Sequence, residues 1–145
     1  MPQPVRINHV EVFLELNGFT SFTHEQLSAR LGVEPTRIYV AGRPVHPDGF
    51  GRLSRHNRWL LQAYTKEGPW LLFEEQMDQL LAVVAARWEA FDALAGQVEV
   101  VVGCAVMVYG DETQSTPAVH LERRHMAMLE RLHAEFDVDI YCFRK

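Results

Sequence analysis

Arginine presents a planar fork of N–H donors that matches phosphate and carboxylate oxygens, and this chain concentrates it in one stretch. Arg37, Arg43, Arg52, Arg55 and Arg58 are five of 14 basic residues, in a protein of formal net charge −5. His46 and His56 stand among them, and Gly42, Gly49 and Gly51 add backbone that can approach an anion closely. The pattern predicts ligand or partner binding through Arg43, His46, Arg52, Arg55, His56 and Arg58. Trp59 reads first as core, and alternatively as the floor of a pocket under the segment. No Walker lysine and no Gly-x-Gly-x-x-Gly occurs, so no phosphate-binding motif narrows the ligand. The competing reading is a mobile basic loop that pairs with the protein's own carboxylates.

Two other constellations invite a chemical reading. Glu122-x-x-His125 and Glu130-x-x-His133 repeat the Glu-x-x-His spacing of carboxylate-bridged di-iron sites. Eight residues on one helix put the two motifs about 12 Å apart, too far to share a metal. Either pair alone falls short of a zinc ligand set, so solvated side chains and no metal or cofactor are expected. Asp137 and Asp139 project from one face of the last strand, and Glu11 and Glu15 from one face of the first. If those strands were neighbours, the four carboxylates would form an acidic face suited to a hard cation. The plainer expectation is a solvated sheet face or an edge strand blunted by charge. For nucleophilic catalysis there is no Gly-x-Ser-x-Gly, and Ser21, Ser28, Ser54 and Ser115 read as capping or turn residues.

The elements that must position these groups follow from periodicity. Val10, Val12, Leu14 and Leu16 alternate with His9, Glu11 and Glu15, a half-buried strand. Thr23 and Gln26 have capping-box spacing, with Phe22 and Leu27 at the hydrophobic-staple positions, and Gly32 and Pro35 stop that helix. Residues 37–41 form a short strand, and residues 42–58 are punctuated by Gly and Pro, including Pro44 and Pro47. Residues 59–65 form the next strand. Phe73, Met77, Leu80, Val84, Trp88 and Phe91 step by three and four, an amphipathic helix with a break near residue 87. Trp70 and Trp88 read as core. Val98 to Val108 at period two, apolar on both faces, gives a long central strand, with a bulge expected at Gly103. A polar turn at 111–117 leads to a helix carrying Leu121, Met128, Leu129 and Leu132, then a strand lined by Val138, Ile140 and Cys142. This order predicts an α+β fold: one mostly antiparallel sheet with helices packed on one face, ferredoxin-like in its first six elements.

One domain over residues 1–145 fits the length, with residues 1–6 a flexible N-terminus. The acidic balance disfavours nucleic acid, no apolar run reaches membrane-spanning length, and Met1-Pro2-Gln3-Pro4 leads into polar residues rather than a secretory signal. Cys104 and Cys142 are therefore expected as buried free thiols in a cytoplasmic protein. Leu31-Gly32-Val33-Glu34-Pro35-Thr36, the Gly/Arg stretch, Trp59-Leu60-Leu61 and Asp137-Val138-Asp139-Ile140-Tyr141 follow one another in an order that resembles an uncharacterised bacterial family, domain of unknown function 4279. The likeness spans roughly residues 10 to 143. In keeping with a family to which no chemistry is assigned, the leading expectation is a non-enzymatic binding or interaction module partnered by another protein, and its acidic surface suits an accessory or immunity role beside a basic partner. Homo-oligomers are compatible with it. The alternative is a domain for a small anionic or phosphate ligand, conceivably an enzyme, working through the arginine segment.

Overall fold

The computed structural model describes residues 6–46, 49, 51–64, 69–110 and 113–143. Residues 1–5 of the flexible terminus expected at 1–6, Pro47, the end of the strand expected at 59–65 and the start of the turn at 111–117 lie outside the described residues. Nine elements follow in the order β1 (His9–Asn17), α1 (His24–Leu31), β2 (Arg37–Tyr39), β3 (Arg58–Leu61), α2 (Phe73–Ala86), α3 (Trp88–Asp92), β4 (Glu99–Tyr109), α4 (Arg123–Arg131) and β5 (Glu135–Phe143). They build one five-stranded sheet of order β2-β3-β1-β4-β5. All neighbours are antiparallel except β4 and β5, which are parallel. In β1-α1-β2 the two strands straddle β3, and in β3-α2-β4 they straddle β1. This interleaved pair of split βαβ units over β1 to β4 is the expected ferredoxin-like arrangement, with the second helix broken into α2 and α3, and α4 carries the chain over to a fifth strand.

Alternation decides which side is filled. Val10, Val12, Leu14 and Leu16 of β1, Trp59 and Leu61 of β3, and Val102, Cys104 and Val106 of β4 are buried against Leu27, Leu31, Phe73, Met77, Leu80, Val84, Leu129 and Leu132 from the helices. Among the described residues the other sheet face carries no helix. α1 starts on the expected capping box, with Gln26 N–H donating to Thr23 Oγ1 at 3.1 Å and Thr23 N–H to Gln26 Oε1 at 2.9 Å. Phe22 and Leu27 are both buried beside it. Gly32 ends it at φ 66°, a left-handed conformation that L residues adopt at a cost.

Gln76 explains why β3 can be short. On its β3 side β1 is paired only from Leu14 to Asn17, so the backbone at Val10 and Val12 has no strand to meet. Gln76, 1% exposed on α2, takes that place: Val12 N–H donates to its Oε1 at 3.1 Å and its Nε2 donates to Val10 O at 2.8 Å. A third bond runs from Nε2 to Leu71 O at 3.0 Å, tying in the approach to α2. The side-chain amide thus stands in for a strand where β3 stops at Leu61 rather than continuing.

Several expectations need correction. Gly103 makes no bulge, because β1 and β4 stay in register through it. It is glycine because the Phe13 ring lies across it, and a Cβ there would sit 2.3 Å from Phe13 Cε2. β2 ends at Tyr39 rather than Ala41, since Ala41 N–H donates to Asn57 Oδ1 instead of to a strand. The break at residue 87 is present, with Arg87 at φ −124° and ψ 30° separating α2 from α3. Trp70 is only half-buried and stacks on His9. Both cysteines are free, but Cys142 is exposed. Cys104 lies opposite Val138, which leaves Cys142 about 13 Å further along β5 by strand rise.

Candidate functional site

The described residues of the arginine segment pair as a hairpin. Pro44 and Leu53 form an antiparallel bridge, flanked by Val45 N–H to Arg52 O at 3.0 Å, Ser54 N–H to Arg43 O at 2.8 Å and Gly42 N–H to Ser54 O at 2.8 Å. Asn57 clamps its base: Nδ2 donates to Phe19 O at 2.9 Å and the Asn57 carbonyl accepts from Gly18 N–H at 2.9 Å. Ser54, almost fully buried, donates its hydroxyl to His56 O at 2.7 Å, which settles it as a turn residue. The ladder positions the backbone of Arg43 and Arg52.

The hairpin divides the predicted residues between two cavities. Arg52, Arg55, His56 and Arg58 share one of about 370 Å³ with Glu15, Asn17 and Glu99 at the end of β1 and β4. Arg43 and His46 line a second, of about 640 Å³, with Arg37 and Tyr39. Trp59 belongs to neither. It alternates to the opposite face from Arg58, is 0% exposed, and its Nε1 donates to Ser28 Oγ at 3.0 Å. The period-two geometry that sends Arg58 outward therefore makes Trp59 core.

Charge in the first cavity is unevenly committed. Arg58 ion-pairs with Glu15 and lies 4.8 Å from the centroid of the Tyr39 ring, so it is held rather than available. Arg52, Arg55 and His56 are exposed, and among the described residues their side chains make no hydrogen bond or ion pair. Across the cavity Asn17 Nδ2 donates to Glu15 Oε2 at 3.2 Å, while its buried Oδ1 has no hydrogen-bond partner among the described residues.

Glu11, Glu15, Asp137 and Asp139 all lie on the helix-free face, as the alternation predicts, but they do not converge. β4 separates β1 from β5, which places the two acidic pairs about 10 Å apart at two strand spacings. Phe13 lies over Gly103 between them. Glu11 accepts from Gln62 Nε2 and meets His9 Nε2, both at 3.3 Å, and Glu15 is held by Arg58. Asp137 and Asp139 are exposed. Among the described residues no three His, Cys, Asp or Glu side chains are grouped for a metal.

The Glu-x-x-His motif at Glu122 serves helix capping. His125 is 0% exposed; Glu122 N–H donates to its Nδ1 at 3.2 Å and its Nε2 lies 2.8 Å from Asp78 Oδ1. An acceptor at Nδ1 places the proton on Nε2, so the ring links the start of α4 to α2. It is not the solvated side chain expected. Asp78 also receives Arg124 through Nε at 3.1 Å and Nη2 at 2.8 Å. The Arg124 bond, reinforced by His125, holds the Asp78 carboxyl below its ordinary value of 3.8.

An aromatic ladder across the far end of the helix-free face escaped sequence reasoning. Trp70 and His9 stack at 3.8 Å between centroids, His9 and Tyr109 at 6.3 Å, and Tyr109 and Phe143 at 4.8 Å. His9, Tyr109 and Phe143 fall on the outward parity of their strands, which is the one signal that could have exposed it.

Fold and site together define a split-βαβ α+β domain with one added parallel strand and a clamped arginine hairpin over a cavity at the sheet's end. The chain belongs to the family described as Domain of unknown function (DUF4279), whose sequence pattern matches residues 8–143. No curated protein and no solved structure shows a match to it. Among the described residues no helix is long and apolar enough to cross a membrane.

Proposed function

We propose that this protein is a non-enzymatic recognition module that takes an acidic group of a partner protein into the cavity under the arginine hairpin. The observation that carries this reading is the pair of uncommitted guanidiniums, Arg52 and Arg55, lining one 370 Å³ cavity, with the Arg52 backbone paired in the hairpin ladder. Forked donors without internal partners are suited to carboxylate or phosphate. The hydroxyl at that cavity, Ser54 Oγ, is used in the turn, which favours binding over nucleophilic chemistry. A cytoplasmic bacterial setting accords with two free thiols. A second reading, a small anionic or phosphate ligand, is favoured by the same two guanidiniums, whose forked donors fit a phosphate as well as a carboxylate.

Titration calorimetry with a glutamate-rich peptide and with inorganic phosphate tests both readings. The peptide, or phosphate for the second reading, should bind with affinity that falls as salt rises, because exposed charges are screened. Arg52→Ala with Arg55→Ala should abolish binding and change stability by at most about 1 kcal/mol, the scale of exposed ion pairs. A double variant that keeps full affinity refutes the assignment.

A further inference from the structure

β5 ends the sheet, and among the described residues it is laddered to β4 alone. Exposed edges invite another strand, and proteins usually blunt them by shortness, proline, charge or cover; the carboxylates of this strand, Glu135, Asp137 and Asp139, all fall on the helix-free side. β5 runs nine residues, Glu135–Phe143, with neither proline nor lysine. On its helix side Val138 is 43% and Ile140 66% exposed, with Cys142 exposed beyond them. On the other side Tyr141 is 48% and Phe143 39% exposed. The helices cover this strand at Phe136, which packs edge-on against Phe73 at 6.0 Å, and leave the rest bare.

We propose that β5 pairs antiparallel with β5 of a second copy of this chain, about a two-fold axis at Ile140, joining two five-stranded sheets into one of ten. Such an axis stands perpendicular to the sheet and returns each face to itself, so residues of like parity must meet. An axis at Val138 sets Asp137 against Asp139 twice, and one at Asp139 sets that carboxylate against its own copy. Like charges directly opposite destabilise a pair of strands. An axis at Tyr141 leaves only five residues of β5 on each side. The axis at Ile140 is the longest register that brings no two carboxylates together. It sets Ile140 on Ile140 and Val138 on Cys142 on the helix side, and Asp139 by Tyr141 and Asp137 by Phe143 on the other.

The opposite edge of the sheet argues for the symmetric pairing. β2 offers three residues, Arg37–Tyr39, so a head-to-tail contact of β5 with β2 has only a three-residue ladder and builds a ring or a filament rather than a dimer. The two-fold pairing has seven residues a side and closes at two copies.

Sedimentation equilibrium of the full chain at roughly 100 µM should give twice 16.7 kDa. Ile140→Lys should halve that mass with an unchanged far-UV circular dichroism spectrum. Ile140→Cys in a Cys142→Ala background should oxidise to a covalent dimer, because paired Cα atoms at about 4.5–5.5 Å lie within disulfide range. A monomeric wild type overturns the pairing and leaves the edge to a strand from another protein. A dimer that survives Ile140→Lys, or cross-links through Asp139→Cys but not Ile140→Cys, overturns the register.

Discussion

Gln76→Leu isolates the consequence of letting a side chain finish a sheet. The variant keeps the size of the residue and removes the bonds to Val12 N–H and Val10 O, groups that β3 does not reach. Each buried backbone group left without a partner costs about 1–3 kcal/mol, so the pair amounts to about 2–6 kcal/mol. Leu71 O, only part-buried, can turn to water and adds little. The leucine recovers about 1–2 kcal/mol by burying apolar surface in the same place. At the middle of both ranges a net loss of about 2–3 kcal/mol is expected, or a fall in Tm of roughly 4–12 °C for a domain of this size. Urea unfolding followed by tryptophan fluorescence, with m held constant, measures it directly. Gln76→Glu is the informative control. It retains an acceptor for Val12 N–H but loses the donor to Val10 O and buries a charge, so it should be no better than leucine. A Gln76→Leu protein within about 0.5 kcal/mol of wild type would show that the end of β1 is satisfied in another way.

Gly103→Ala forces the Phe13 ring off the strand and should cost about 1–3 kcal/mol. The same change made in a Phe13→Ala background should be neutral, and equal costs in both backgrounds would separate the two residues. In native protein one thiol, Cys142, should react with a maleimide or disulfide reagent, while Cys104, pushed up to about 12 by burial, reacts only on unfolding. Two equally fast thiols would place Cys104 at the surface. Because the Asp78 carboxyl is held below 3.8, its stabilisation is fully present above that value and is lost as pH falls through the lower folded-state value. Asp78→Asn should therefore flatten the stability–pH curve below about pH 4, and an unaltered acid limb would remove Asp78 from the account.

How much of this could be read in the residues depends on how local each cause is. β1 announces itself because one of its faces is covered along its length, and the middle of β4 because both of its faces are buried. The capping box at Thr23 is legible because all its partners lie within four positions. His125 resists the same treatment: Glu-x-x-His fits a metal pair and a helix cap equally, and the decision rests with Asp78 on a different helix. Gln76 reads as an anomaly in an apolar stripe until the end of β3 is known. The hairpin under the arginines reads as bare loop, since its pairing runs through proline and glycine instead of an alternating pattern. Val138 and Ile140 look like core residues, and only the sheet order shows that their strand lies at the margin.

The strand in the middle of the sheet is the first one made. Leu14 of β1 lies against Leu61 on one side and Val102 on the other, so its neighbours emerge from the ribosome long after it does. At about 5–20 residues per second, Val10, Val12, Leu14 and Leu16 wait several seconds for β4. During that interval the nascent chain can form α1 with its own cap but has no closed sheet to dock it on. Folding is then an event of late synthesis, with most of its decisive contacts spanning large separations in sequence, and such topologies fold slowly for their size. A ribosome stalled before Tyr109 should therefore hold a chain that proteases cut throughout β1, and one released after β4 should hold β1 protected.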